Sequence, residues 1–226
     1  MSADMLAVPP APTGSAAEAA RPFDVLGKLY EDAYGRLPEQ RAALDWLIAR
    51  LPANSPVMDI GSGTGRPTAE LLTAAGHRVT GYDVSTTMVE LARTQVPAAV
   101  FELVDVRELP DAPGRWSAIT AFFPLLQMPR ADLDRTLARV ADWLAPGGLF
   151  AFATVPFDGE GVETTWMGQQ VRCTSYPAAR YPELLTAAGL TVVHQRLSTF
   201  QPDFPGMGEE EHLFVHAVKP GGPAAR

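Results

Sequence analysis

The segment Val57-Met58-Asp59-Ile60-Gly61-Ser62-Gly63-Thr64-Gly65 constrains this chain more than any other, because a short apolar run passes directly into three glycines spaced two apart. A brief apolar stretch bounded by a glycine cluster reads as a buried strand. Glycines permit a tight turn and let bare backbone approach a ligand. The periodic segment after Pro67 reads as a helix, whose first turn offers free N–H groups. The unit predicted is strand, loop, helix, the opening move of a ligand-binding α/β fold.

The rest of the chain repeats that rhythm. Strands are expected at 57–60, 77–82, 100–104, 116–123 and 149–155, the last introduced by the turn Pro146-Gly147-Gly148. Helices alternate with them at 67–75, from the N-cap Ser85 to Val96, and at 131–144. Two further strands, 190–197 and 212–218, flank a Pro/Gly-rich loop at 198–211 and follow a helix at 177–188. The fold class expected is α/β: a doubly wound, mostly parallel seven-stranded sheet with an antiparallel last strand and helices on both faces. One domain over 21–220 accommodates it, with a helical lid at 21–52 (helices at 23–35 and 39–50) and a flap insertion at 156–176. Residues 1–20, rich in Ala and Pro, and 221–226 are expected to be tails, the first disordered.

Composition narrows the function classes. Hydrophobic residues make up 46% and charged ones 19% of 226 residues, as in a soluble globular protein. The formal charge of -8 and the absence of a basic cluster argue against nucleic acid as a partner. No apolar run reaches the ~20 residues that span a bilayer, so no membrane partner is expected. Cys173 is the sole cysteine, which fits a cytoplasmic location, and no residue spacing suggests a metal. The chain is expected to be a monomer or homodimer.

By itself the glycine loop fits more than one cofactor. A dinucleotide fingerprint wants Gly or Ala where this chain has Arg66, which weakens a nicotinamide oxidoreductase reading. The loop is similar to the first motif of class I S-adenosylmethionine-dependent methyltransferases of the small-molecule type, and further matches follow in order. Gly81-Tyr82-Asp83-Val84-Ser85 resembles the second motif, Leu103-Val104-Asp105-Val106 the third, and Pro146-Gly147-Gly148 the turn into strand five. The resemblance implies S-adenosylmethionine as cofactor and S-adenosylhomocysteine as product. It implies that Asp83 accepts from the ribose hydroxyls, Val84 and Met88 flank the adenine, and Asp105 and the Val106 N–H meet its edge. Asp59 would orient the loop and approach the methionine amino group, beside Gly61, Ser62, Gly63 and Gly65. Tyr30, on a helix that covers the cofactor in similar enzymes, and Phe122 complete the expected set.

The acceptor side is less defined. The segment after strand four, with Phe123 and Gln127, lies beside the methyl group in similar enzymes, but Leu126 and Gln127 stand where many carry a His pair. His212 begins the antiparallel strand at the ligand edge and is the leading general-base candidate, with Gln127 a second catalytic candidate. Glu209, Glu210 and Glu211 beside it read as a solvated turn. In the flap, Trp166, Met167 and Tyr176 would wall an apolar acceptor, and Arg172 would meet a carboxylate. The function expected is methyl transfer to an O or N atom of a small-molecule metabolite, in secondary metabolism. The alternative is a cofactor-binding regulatory or scaffold module that no longer methylates.

Overall fold

The computed structural model describes residues 14–221. Strands β1 Pro56–Ile60, β2 Arg78–Asp83, β3 Val100–Leu103, β4 Trp116–Phe122 and β5 Leu144–Thr154 run parallel. The hairpin β6 Gly159–Trp166 and β7 Gln169–Ser175 forms a separate two-stranded sheet within residues 156–176. Strands β8 Thr191–Phe200 and β9 Glu210–Val218 complete the main sheet in the order β3-β2-β1-β4-β5-β9-β8, with β9 antiparallel to both neighbours. Winding reverses between β1 and β4, which places a crevice at their carboxyl ends.

Successive strand residues face opposite sides of a sheet, and here each side is covered. Ile60, Phe150, Phe152, Leu213 and Val215 pack with Leu133 and Leu137 of α6 Arg130–Trp143 and Tyr181 and Leu185 of α7 Arg180–Ala187. Val57, Ala151, Ala153 and Phe214 face the other side, against Leu44 and Leu47 of α3 Pro38–Ile48, Leu72 of α4 Thr68–Ala74 and Val89 of α5 Thr86–Gln95. The doubly wound sheet expected from the sequence is therefore present, helices on both faces.

The amino-terminal region departs from expectation. Residues 16–20, read as part of a disordered tail, are the first turns of α1 Ala16–Leu26, which Ser15 caps by accepting from the Glu18 N–H. The expected single helix at 23–35 is two, α1 and α2 Lys28–Tyr34, broken at Gly27 where φ is 50°. Docking explains α1 better than intrinsic propensity, since short isolated helices are marginal in water. Asp24 accepts from the Ser85 hydroxyl (2.6 Å) and the Thr87 N–H (3.1 Å), and Arg21 donates to the Gln170 carbonyl (2.9 Å). The remaining tail positions, 1–13 and 222–226, lie outside the described residues. The expected loop 198–211 is shorter, because β8 and β9 pair as far as Phe200 and Glu210.

Close approach, not only turning, requires Gly61. Its φ is +66°, and a Cβ there would lie 2.3 Å from the Pro124 Cβ. The Gly61 and Ser62 N–H groups donate to the Tyr82 carbonyl, tying the loop to β2.

Ser85 should be a stability determinant, because its Oγ accepts from the Met88 N–H and donates to Asp24. Ser85→Ala is expected to cost about 1–2 kcal/mol in urea unfolding. A midpoint identical to that of the native chain would contradict this role.

Candidate functional site

A cavity of about 470 Å³ opens at the crevice between β1 and β4. The sheet ends form its floor, while α1, α2 and the β6–β7 hairpin contribute Phe23, Tyr30, Tyr34 and Trp166 to its cover. A smaller space of about 40 Å³ adjoins it, sharing Tyr30, Tyr34, Gly61, Gly63 and Phe122 and adding Asp59, Ser62, Gln40 and Arg66.

One end holds three carboxylates in different states. Asp83 sits at the end of β2, where its Oδ2 accepts from the Gly63 N–H and its Oδ1 from the Ser85 N–H, each at 2.9 Å. Burial outweighs these bonds and raises its pKa. Asp59 is 2% exposed; its Oδ1 accepts from the Thr120 hydroxyl at 2.7 Å, while Oδ2 has no partner among the described residues. Burial pushes its carboxyl up to about 7, with the Thr120 bond opposing and the Asp83 charge adding. At Asp105 burial also favours the neutral acid, but Arg107 wins and holds the pKa below the usual carboxylate range. That guanidinium bonds both Asp105 oxygens and also reaches Asp132 and the Gly14 carbonyl, each at 2.8 Å. Val84, Met88 and Val106 line the cavity around this end.

The other end gathers aromatic rings and a polar chain. His212 is 1% exposed, with its ring 4.7 Å from that of Phe123 and 5.9 Å from that of Phe200. Its Nε2 lies 3.1 Å from Glu210 Oε2. The Tyr34 hydroxyl donates to Glu210 at 2.9 Å and accepts from Trp166 Nε1 at 2.9 Å. Gln127 Oε1 and His212 Nδ1 are buried without a partner among the described residues.

Most of the residues singled out in the sequence therefore meet in one place. Four do not. Gly65 lines neither space; a Cβ there would press on Phe101 and Val96, so its place is in packing. Met167 is buried at the hairpin turn among Leu26, Tyr34 and Leu37, holding the hairpin to the helices. Arg172 pairs with Glu163 and Glu18 rather than facing the cavity, and Tyr176 donates to Asp134 beneath the Arg130 guanidinium. Glu210, read as part of a solvated turn, is instead a strand residue on the same side of β9 as His212. The i, i+2 spacing carried that signal once β9 was extended by two residues. Arg107 and Cys173 also line the cavity and were not anticipated.

Comparison with known proteins finds methyltransferases in sequence and in structure. Residues 57–148 match the family model described as a methyltransferase domain. The methyltransferase GfsG of Streptomyces halstedii is 31% identical over 153 residues, 62% of this chain and 54% of that protein. A trans-aconitate 2-methyltransferase of Paracidovorax citrulli is 38% identical over 109 residues, 46% of this chain and 41% of that one. The chain spans about half the length of the curated relatives it matches. Among solved structures, Burkholderia thailandensis 1,6-didemethyltoxoflavin-N1-methyltransferase, with bound 1,6-didemethyltoxoflavin and S-adenosylhomocysteine, aligns with a TM-score of 0.68 at 26% identity. That alignment covers 95% of this chain and 93% of that one.

Asp59 gives the site a pH signature. The folded chain holds this proton more tightly than the unfolded chain, so stability falls as pH rises from the ordinary carboxylate range through about 7. Asp59→Asn cannot ionise and should escape the fall. Its stability relative to the native chain should rise by on the order of 2–4 kcal/mol between pH 4 and pH 8. Parallel stability curves would contradict the assignment.

Proposed function

Given a class I S-adenosylmethionine-dependent methyltransferase core, we propose that this chain transfers a methyl group to an oxygen or nitrogen atom of a small-molecule metabolite. The reading places it in secondary metabolism, in the cytoplasm. The observation that carries it is the grouping of polar atoms without a partner among the described residues at the two ends of a site made of two adjoining spaces. Asp59 Oδ2 and Ser62 Oγ lie at one end, Gln127 Oε1 and His212 Nδ1 at the other. A buried polar atom without a partner costs ~1–3 kcal/mol, so such groups favour a ligand that satisfies them.

Several residues at the donor end suit the cofactor. Asp83 retains lone pairs for two ribose hydroxyls while its other bonds fix the loop. The unpartnered Asp59 oxygen suits an ammonium group, which would also stabilise the charged carboxylate. Val84 and Met88 offer apolar faces to a flat ring, while both Asp105 oxygens are engaged by the Arg107 guanidinium and backbone N–H and serve to fix Arg107 rather than to meet the ring edge. S-adenosylmethionine, when bound, supplies an activated methyl on a positively charged sulfur.

The chain then has to align the acceptor and keep water away. Phe122, Phe123 and Trp166 line the cavity and exclude solvent, and Gln127 and His212 offer acceptors that orient a hydroxyl or amine. Such positioning reaches effective molarities of ~10⁵ M or more in well-aligned systems.

Isothermal titration tests the donor end: S-adenosylhomocysteine should bind, and Asp83→Ala should weaken it at least ~10-fold, the loss of bonds to a charged acceptor. Equal binding by both proteins would overturn the assignment of Asp83. Labelled methyl transfer into a small-molecule extract tests the activity. A label that stays on the donor despite tight binding would favour a non-catalytic module.

A further inference from the structure

The acceptor end contains a hydrogen-bonded chain that cofactor binding leaves unused. Trp166 of β6 donates to Tyr34 of α2, Tyr34 donates to both oxygens of Glu210, and Glu210 faces His212 Nε2 on β9. With Glu210 as acceptor, a neutral imidazole carries its proton on Nε2 and its lone pair on Nδ1. That Nδ1 is buried and unpartnered among the described residues, as is Gln127 Oε1 in the same lining. Both atoms are acceptors, so a group that satisfies them is a donor.

Charge narrows the partner further. Among the described residues, the only guanidinium or ammonium on the cavity lining is Arg107, which Asp105, Asp132 and the Gly14 carbonyl already hold at the donor end. A carboxylate-bearing acceptor would meet no cation and would face Glu210. The remaining walls are mostly apolar, formed by Leu126, Met128, Val155, Phe157, Val162 and Val171, with Thr164, Thr165 and Cys173 as uncharged polar exceptions. A neutral amine already presents its lone pair and has no need of a base before transfer. A hydroxyl benefits from one, and a phenol, with a pKa near ~10, is far better matched to imidazole than an aliphatic alcohol.

We propose that the acceptor is an uncharged phenol or enol on an apolar scaffold, that His212 takes its proton, and that Glu210, held by Tyr34 and Trp166, positions the imidazole. The proposal rests on the methyl-transfer reading above. As the acceptor oxygen bonds to the methyl carbon, the carbon–sulfur bond breaks with its electron pair left on sulfur. The hydroxyl proton passes to His212 Nδ1, and the imidazolium later releases it to water. His212 is then a catalytic residue, while Glu210 and Tyr34 are positioning residues.

Two measurements on the full chain decide it. Titration of the S-adenosylhomocysteine-loaded protein with 2-naphthol, 2-naphthoate and 2-naphthylmethylamine compares one scaffold in three charge states. The naphthol should bind at least tenfold more tightly than the other two, and His212→Gln should weaken it. Naphthol binding no tighter than the others, or absent, overturns the proposal. Failure of S-adenosylhomocysteine itself to bind would instead remove the reading on which it rests. Nitrogen-15 spectra of histidine-labelled protein at pH 8, assigned with His212→Gln, report the tautomer. A single Nε2-protonated form is expected, becoming a tautomer mixture in Glu210→Ala. An imidazolium, an Nδ1-protonated ring or an unchanged signal in Glu210→Ala overturns it.

Discussion

The carboxylate of Asp83 joins the parts of the molecule that make the site. One oxygen accepts from Gly63, in the loop after β1; the other accepts from Ser85, at the start of α5. Ser85 in turn bonds Asp24, so the same short chain of contacts docks α1 over the cavity. Burial works against the charge on Asp83, and backbone N–H groups oppose that effect. The loop, the second strand end and the cover are thus coupled through one side chain, and removing its charge disturbs all of them.

Electrostatics distinguishes the two ends of the cavity. At the end proposed for the donor, Asp59 and Asp83 lie under a roof of Tyr30 and Phe23, and burial favours their neutral forms, so a ligand with positive centres would favour their ionisation. Arg107 neutralises Asp105 locally and links it to α6 through Asp132. At the acceptor end, the one carboxylate, Glu210, is spent on Tyr34 and His212. What else lines that end is mostly apolar surface, with Thr164, Thr165 and Cys173, beside the two acceptors Gln127 Oε1 and His212 Nδ1.

Sequence made the sheet legible, and it singled out most of the residues that meet at the end proposed for the donor, because both depend on local pattern. Alternation of apolar strands and helices, the loop Asp59 to Gly65 and the acidic strand ends Asp83 and Asp105 are short-range signals. The cover was not legible in the same way. Ala-rich residues 16–20 resemble a tail, and only the distant partners of Asp24, Arg21 and Arg107 reveal why they form a helix. Arg172 and Tyr176 have side-chain chemistry suited to a ligand, but Glu18, Glu163 and Asp134 engage them first. Glu210 was hidden by a strand boundary placed two residues late, a shift that conceals which side chains share a face.

The central claim is that one cavity holds the donor at the aspartates and the acceptor at His212. A crystal structure with S-adenosylhomocysteine tests it most directly. The account expects the ribose hydroxyls on Asp83, the amino group on Asp59, and the sulfur directed toward the space between Phe123, Gln127 and His212. A ligand bound elsewhere, or one whose sulfur faces away from His212 with the aspartates unengaged, would contradict it.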